Sequence, residues 1–383
     1  MLSTSGRRPI GGNVFDAAVG RLTELYKAGH RLVISFSAGK DSGVVLELAV
    51  IAARAAGRLP VEVVMRDEEI LMPGTFEYAE RVAQRPEIDF HWMVAHQPIV
   101  NIFNRREPYF WVFDQQLKSS DWVRSPPAFA ETIGDQNIER MISPLRFPVQ
   151  SGQRLFSVVG MRVQESRARR YGIFAAKGYI TKPNKHGVSK VWPIYDWLDT
   201  DVWRGIQHYG WDYNHAYNTM RSIGIHPKNL RIGPPTMSLG GARILQLAAK
   251  AWPRWFDKVC TRLHGVRAVT LFGAKTCEPS RRLKESWESV FRRECLETDI
   301  PWIRERSERA MKRILDAHGQ HATGSLPDIA PCIQCSGALG SWKALAVGMY
   351  NGDPFALKFK FLKYVEPEFF RAGAGTWNGT PAF

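Results

Sequence analysis

A run of six small and polar residues, Ser37-Ala-Gly-Lys-Asp-Ser42, stands between an apolar β-branched segment and an apolar helical one, and this limits what the chain can fold into. Upstream, Arg31-Leu-Val-Ile-Ser-Phe36 reads as a short buried strand. Downstream, the run from Gly43 to Ala56 is helical in pattern and stops at Gly57. A strand that feeds a helix through so short a loop aims the loop amides and the positive end of the helix at one point, which suits a phosphate. Gly39 admits close backbone approach, Lys40 supplies a mobile cation, and Ser37 and Ser42 supply hydroxyl donors. Asp41 can orient the loop or hold Mg²⁺ as a hard oxygen ligand. The loop lacks the G-x-x-x-x-G-K-[ST] spacing of a Walker A motif. Taken alone, the six residues are also compatible with a purely structural turn.

The same alternation continues along the chain. Asn13 can cap a helix with Val14, Ala18, Leu22 and Leu25 on one face, ended by Gly29. Val61-Glu-Val-Val-Met65 predicts a second strand, residues from about 75 to 84 a helix, and Asp89-Phe-His-Trp-Met-Val94 a third strand. A segment from about 100 to 150, rich in aromatics and proline, reads as an insertion that folds over the sheet edge. Phe156-Ser-Val-Val-Gly160 then resumes the strand pattern, and a basic helix with Arg162, Arg167, Arg169 and Arg170 follows. Strands alternating with helices imply right-handed crossovers and a mostly parallel α/β sheet with helices on both faces. Ligands in such sheets sit at the carboxyl ends of the strands. Beyond about residue 235 the text becomes helical, with expected helices Leu283–Leu296 and Trp302–His318. The expected division is a nucleotide-binding domain over 1–235 and a helical basic region over 236–383.

Charge and cysteine usage bound the partners. The 383 residues carry 52 Lys+Arg against 37 Asp+Glu, a net charge of +15, which points to a polyanionic partner such as nucleic acid. Five cysteines are too few and odd in number for a disulfide framework, and the first residues show no continuous apolar stretch. A cytoplasmic location is the expectation. The longest apolar stretch, Val44 to Ala56, is broken by Glu47 and Arg54 and is too short to span a bilayer.

The loop and three later segments together resemble the PP-loop adenine-nucleotide α-hydrolase superfamily, and within it the phosphoadenosine phosphosulfate (PAPS) reductase-like branch. Its pyrophosphate loop reads S-G-G-K-D-S, matched here with Ala38 in place of the first glycine. Gly160-Met-Arg162 with Glu165-Ser166 and Arg169 is similar to the branch's G-x-R-x-x-E-S-x-x-R. Trp192-Pro-Ile-Tyr-Asp-Trp197 with Asp199-Thr-Asp-Val-Trp203 resembles its P-I-x-x-W-x-x-x-D-V-W segment. Tyr213-Asn214, Ala216-Tyr217 and Arg221 resemble its Y-N-x-x-Y segment. The aromatic insertion, Glu107-Pro-Tyr-Phe-Trp111 to Asp121-Trp-Val-Arg124, is also similar to that of prophage-borne IbrA-like co-activators, a regulatory association that defines no reaction.

The resemblance implies that Ser37, Ala38, Gly39, Lys40, Asp41 and Ser42 cradle the phosphates of ATP or PAPS. It implies that Phe36 and the strand end from Met65 to Asp67 flank adenine and ribose, and that Gly160 and Arg162 reach the phosphates, with Arg169 a further contact. Lys40, Asp41 and Arg162 are then the expected catalytic residues. Arg169 and Arg170 can equally form a solvated helix face, Glu165 can pair with Arg162 or Arg169, and Asp199, Thr200 and Asp201 read as a helix cap with first-turn acids. The reductases of the branch attack sulfur with a thiolate in an E-C-G-L-H context; the tail from Ser336 onward has no cysteine, and the usual cysteine site after the Y-N segment is Arg231-Ile-Gly-Pro-Pro235. The paired cysteines of an assimilatory iron–sulfur cluster are absent as well. What the resemblance leaves is ATP binding with attack on the α-phosphate, pyrophosphate release and an adenylated acceptor. The acceptor is expected to be nucleic acid, in a phage-associated modification, defence or regulatory system, by analogy with the adenylating subunit of DNA phosphorothioation. A PAPS- or APS-using reductase or sulfotransferase, and a nucleotide-sensing co-activator that binds DNA or a ParB-like partner, are the alternatives.

Cys332-Ile-Gln-Cys335-Ser-Gly337 resembles a zinc knuckle, whose two thiolates grip one tetrahedral metal. The expected ligand set is Cys332, Cys335, Cys277 and His321, with Cys295 and His318 as alternatives, and spacing leaves structural zinc, an iron–sulfur cluster and no metal all open. Cys260 reads as a core thiol. Arg281, Arg282, Lys284, Arg292, Arg293, Arg304, Arg306, Arg309, Lys312 and Arg313 form a basic stripe, either a nucleic-acid track or a solvated face. Phe355 to Tyr364 alternates by two, as a strand with one buried face does.

Overall fold

Asn13 opens the first helix by accepting a hydrogen bond from the amide of Asp16, and α1 runs over Val14–Lys27 with Ala18, Leu22 and Tyr26 buried. The computed structural model describes residues 12–133, 141–227, 230–335 and 340–371; the start of the sequence and Gly337 lie outside them. They divide into two compact units, Met1–Gln97 with Val112–Gly233, and Pro98–Trp111 with Pro234–Phe383.

The first unit is built on strands β1 (Arg31–Phe36), β2 (Val61–Arg66) and β3 (Ile88–Ala95), with α2 (Lys40–Ala55) and α3 (Thr75–Ala83) between them. Both faces of β1 are covered, so its apolar residues run on without alternation. α2 is buried along most of its length and packs against α1. Strand β6 (Glu131–Ile133) pairs with β3 at one edge; β7 (Leu155–Val159) and β8 (Val188–Val191) extend the sheet on the other side of β1. All six strands are parallel, in the order β6-β3-β2-β1-β7-β8. The chain builds outward from β1 in one direction and then returns to its other side, so β1 and β7 are neighbours at a topological switch point. A crevice opens there at the carboxyl ends, as the parallel pattern predicts. The helices α4 (Arg167–Ala176), α5 (Asp199–Tyr209) and α6 (Ala216–Ser222) complete the unit.

The aromatic segment is shared between the units. β4 (Pro98–Val100) and β5 (Tyr109–Trp111) pair antiparallel and belong to the second unit, whereas the chain from Val112 onward belongs to the first and supplies the edge strand β6. Glu69 anchors this return: it is fully buried at φ +56°, and its carboxylate accepts from the amides of Phe113 at 2.6 Å and Val123 at 3.0 Å.

The second unit holds α7 (Gly240–Ala251), α8 (Pro253–Arg262), α9 (Val266–Phe272), α10 (Trp287–Phe291), α11 (Pro301–His321), α12 (Trp342–Met349) and α13 (Glu368–Arg371). Its main core gathers Val290, Phe291, Cys295, Ile314, Trp342, Met349 and Phe359. Four expectations change here. The helix expected from Leu283 starts at Trp287, because Lys284 adopts φ +63° and Ser286 caps the amide of Ser289. Residues 355–364 form no strand: the Asp353 carboxylate gathers the amides of Leu357, Lys358 and Phe359, and Ala356 is left-handed at φ +49°. Arg306 leaves the basic stripe for the core, where it is 3 % exposed and donates to the carbonyls of Gly352, Asp353 and Lys363. Burial lowers its pKa to about 10. Arg293 and Arg292 pair with Glu285 and Glu288, while Arg304, Lys312 and Arg313 remain exposed. Cys260 is half-buried, not a core thiol.

Candidate functional site

The crevice at the switch point is a cleft of about 1050 Å³, lined within the first unit by the 37–42 loop, the segment after β7, the end of β2, Pro227 and residues 230–233. Ser35 and Ser157 form its floor, one from β1 and one from β7, with their hydroxyls 2.9 Å apart.

The loop is held in shape from several sides. Ser42 Oγ lies 3.2 Å from Ser37 Oγ and donates to the Gly39 carbonyl at 3.0 Å. Ala38 takes the left-handed region at φ +53°, which costs an L residue about 1–2 kcal/mol. Asn214 donates to the Ala38 carbonyl at 2.9 Å and to Thr75 Oγ1 at 3.1 Å, holding the peptide in that state. The Ala38 methyl is fully buried and is not part of the cleft wall. Gly39 precedes α2 without a side-chain cap, leaving the positive end of a 16-residue helix toward the cleft. The Lys40 amide donates to Tyr217 Oη at 3.0 Å, and burial pushes that phenol well above its ordinary range.

Four charged side chains meet over this loop. Arg162 Nε lies 2.5 Å from Asp41 Oδ1, and its other arm reaches Asp199 Oδ1 at 3.1 Å. Lys40 Nζ lies 3.2 Å from Asp199 Oδ1, 3.5 Å from Asp41 Oδ2 and 3.4 Å from the Leu230 carbonyl. Burial opposes the charge on Arg162, but Asp41 outweighs it and leaves the guanidinium pKa above its ordinary value. The side chains of Lys40 and Arg162 are 6 % and 4 % exposed, whereas Asp199 is 38 % exposed. Asp199 is therefore the most exposed member of the cluster.

The remaining candidates divide. Gly160, Ser37, Gly39, Ser42 and Arg169 all line the cleft, with Arg169 paired to Glu165. Phe36 lines it as well, but its ring packs against those of Tyr78 and Phe90. Asp67 does not reach the cleft: it is fully buried, accepting from Trp92 Nε1 at 2.8 Å and the Glu69 amide at 2.9 Å and paired with Arg124. Its neighbours Arg66 and Glu68 face the cleft instead. Asp199, read from the sequence as part of a helix cap, joins the ion cluster instead. Asp201 does the capping, accepting from the Leu198 amide at 2.7 Å, and leaves Asp199 to the ion cluster. Cations lining the cleft are Lys40, Arg66, Arg162, Arg169, Lys190 and Arg231, against Asp41, Glu68, Glu165 and Asp199, a balance of +2.

In the second unit the expected metal set is not assembled as written. Cys277 is buried at the end of a 3-10 turn beside Thr276, and His321 is exposed at the last position of α11. His318, one turn earlier, is the histidine grouped with Cys332 and Cys335. Cys295 lies in the core, with burial pushing its thiol up to about 12.

The profile of the phosphoadenosine phosphosulfate reductase domain matches residues 31–230, more than half of the chain. The uncharacterized protein YbdN of Escherichia coli (strain K12) is 25% identical over 288 residues, which are 69% of this chain and 68% of that protein. Among solved structures, the phosphoadenylyl-sulfate reductase of Candida auris in its phosphate complex is 14% identical, with a TM-score of 0.30 over 55% of this chain and 93% of that one. The FMN adenylyltransferase of Candida glabrata is 12% identical, with a TM-score of 0.32 over 56% of this chain and 64% of that one, less than two thirds of the enzyme's length. No helix among the described residues is long and apolar enough to cross a membrane.

Proposed function

The chain belongs to the phosphoadenosine phosphosulfate reductase domain family, and from that premise we propose that it is an ATP α-hydrolase that adenylates a nucleic-acid acceptor. The observation that carries this reading is the Lys40, Asp41, Arg162 and Asp199 cluster over the PP-loop. An acceptor oxygen attacks the α-phosphorus, the bond to the bridging oxygen of the β-phosphate breaks, pyrophosphate leaves, and the acceptor carries AMP after losing its proton. Negative charge accumulates on the departing pyrophosphate, and Lys40 and Arg162 are the cations positioned for it.

The cluster itself is neutral, two cations against two carboxylates, so a triphosphate must displace a carboxylate to reach the cations. Asp199, the more exposed, is the one that yields, while Asp41 keeps Arg162 in place. The displaced Asp199 carboxylate and the Asp41 oxygen not held by Arg162 are hard oxygen donors beside the phosphate site, a donor set that fits Mg²⁺. Asp41 and Asp199 would hold that ion, which supplies charge neutralisation of the triphosphate when bound. The amides of the loop and the end of α2 bind the phosphates, and Ser37 and Ser42 add hydroxyl donors.

Sulfonucleotide reduction is the weaker reading, because the unit that holds the cleft contains no cysteine and the sequence has no cysteine in the E-C-G-L-H context. The net charge of +15 supports a nucleic-acid acceptor. Calorimetric titration with ATP, PAPS and APS, with pyrophosphate followed in the same samples with and without DNA, tests the proposal. ATP binding with DNA-stimulated pyrophosphate release, lost in Lys40→Ala and Arg162→Ala, is expected. Release that persists in both variants overturns the chemistry. Binding of PAPS but not ATP returns the protein to sulfonucleotide chemistry, and ATP binding without turnover makes it a nucleotide sensor.

A further inference from the structure

The last turn of α11 and the loop before α12 bring together three side chains that the nucleotide chemistry does not use. One ligand atom each from His318, Cys332 and Cys335 lies within 4.8 Å of the others. His318 is 5 % exposed, on the same buried stripe of α11 as Trp302, Arg306, Ala310 and Ile314. Its Nε2 lies 3.1 Å from the Gly324 carbonyl oxygen. A carbonyl only accepts, so Nε2 carries the proton and Nδ1 holds the lone pair. That Nδ1 is buried with no hydrogen-bond partner. A buried acceptor without a donor is rare in a folded protein and calls for an explanation. An imidazole whose far nitrogen donates to a backbone carbonyl is the arrangement that orients histidine as a metal ligand.

We infer that His318 Nδ1, Cys332 Sγ and Cys335 Sγ bind a zinc ion in the second unit, with water in the fourth tetrahedral position. Two thiolates and an imidazole are the donor types zinc prefers, and no carboxylate belongs to the group, which disfavours calcium and magnesium. A cubane or rhombic iron–sulfur cluster ordinarily takes four cysteines, and this group offers two. Each thiol loses one proton on binding, so two thiolates and a divalent ion make a neutral site, which suits partial burial. The ion would tie the end of α11 to the 332–335 turn, whose first amide, that of Cys332, donates to the Gly340 carbonyl at 2.8 Å. Helix α12, which begins at Trp342, is part of the main core of the unit.

The test uses the full chain, purified without chelator, with zinc measured by plasma mass spectrometry. About one zinc per chain is expected, falling to background in Cys332→Ser, Cys335→Ser and His318→Ala and retained in His321→Ala and Cys277→Ala. Because a ligand variant can fail to fold, wild-type protein stripped of metal is also titrated with Co²⁺. Sulfur-to-cobalt charge-transfer absorption that saturates at about one equivalent and is reversed by Zn²⁺ is expected. Wild-type protein without zinc and without that absorption overturns the site. So does zinc retained in a Cys332→Ser/Cys335→Ser double variant, zinc lost from His321→Ala as completely as from His318→Ala, or iron–sulfur absorption after anaerobic purification.

Discussion

Gly160 lies against the peptide of Asp41: a β-carbon on Gly160 would stand 2.8 Å from both the carbonyl carbon and the carbonyl oxygen of Asp41, and 2.9 Å from the Ser42 amide. Gly160 therefore meets the first turn of α2 backbone to backbone, two residues before Arg162 reaches the Asp41 carboxylate. Backbone cannot swing aside as a side chain can. Gly160→Ala is expected to lower stability by about 1–3 kcal/mol, a Tm drop of about 3–10 °C, and to weaken ATP binding at least as much as loss of one phosphate contact does. Thermal denaturation and calorimetry on the same samples check it; unchanged ATP affinity would show that the contact does not position the site.

Arg162 and Asp199 are expected to act oppositely on nucleotide affinity. Arg162→Ala removes a charge-assisted contact and weakens ATP binding about tenfold to a hundredfold. Asp199→Asn removes the carboxylate that competes with phosphate, so without Mg²⁺ it tightens ATP binding a few-fold, and with Mg²⁺ the gain disappears. Calorimetry with and without the ion separates the two. Weaker binding by Asp199→Asn in the absence of Mg²⁺ would falsify the displacement of Asp199 by phosphate.

Asp67 is expected to matter for folding and not for the ligand. Asp67→Ala leaves the Arg124 guanidinium, which stacks 3.2 Å from the Phe76 ring centroid, without its buried counter-ion. The cost is about 3–5 kcal/mol. Chemical denaturation should show that loss while ATP affinity of the folded fraction stays within about threefold, an outcome a ribose contact at Asp67 could not produce.

Cys295 is expected to sensitise the protein to alkali. Burial raises its folded pKa from the ordinary 9.0 to about 12, so the neutral thiol is the form the fold favours. Its contribution is complete below pH 9 and is lost as the pH rises toward 12, because the unfolded chain gives up the proton first. Wild-type stability should fall between pH 9 and 10.5 with a slope that Cys295→Ala reduces, by up to about 1.4 kcal/mol per pH unit. The same burial predicts that Cys295 resists alkylation at neutral pH until the protein unfolds. Equal slopes in the two proteins would sink the argument.

Strand and helix positions in the first unit were legible because their signals are local. The apolar run of β1, the loop after it and the capping by Asn13 each depend on residues within a turn or two. The 355–364 segment misled because alternation by two is only a pattern, and the Asp353 carboxylate offered its amides a better partner than a neighbouring strand. His318 had a readable signal, its place on the buried stripe of α11, whereas His321 falls off that stripe.

The ion cluster was not readable in the same way. At a helix start, Asp199 and Asp201 carry the same signature, yet one caps its helix and the other meets Lys40 and Arg162. Asp67 stands at a strand end where a ligand contact was reasonable, until Arg124 from the returning segment took its carboxylate. By itself the sequence determined that the 37–42 loop joins a strand to a helix at the carboxyl end of the sheet, since periodicity, loop chemistry and helix polarity act between neighbours along the chain. Only the tertiary structure decided which charges meet: ion pairing depends on a few ångströms, and those distances follow from strand order and crossovers that bring β7 beside β1.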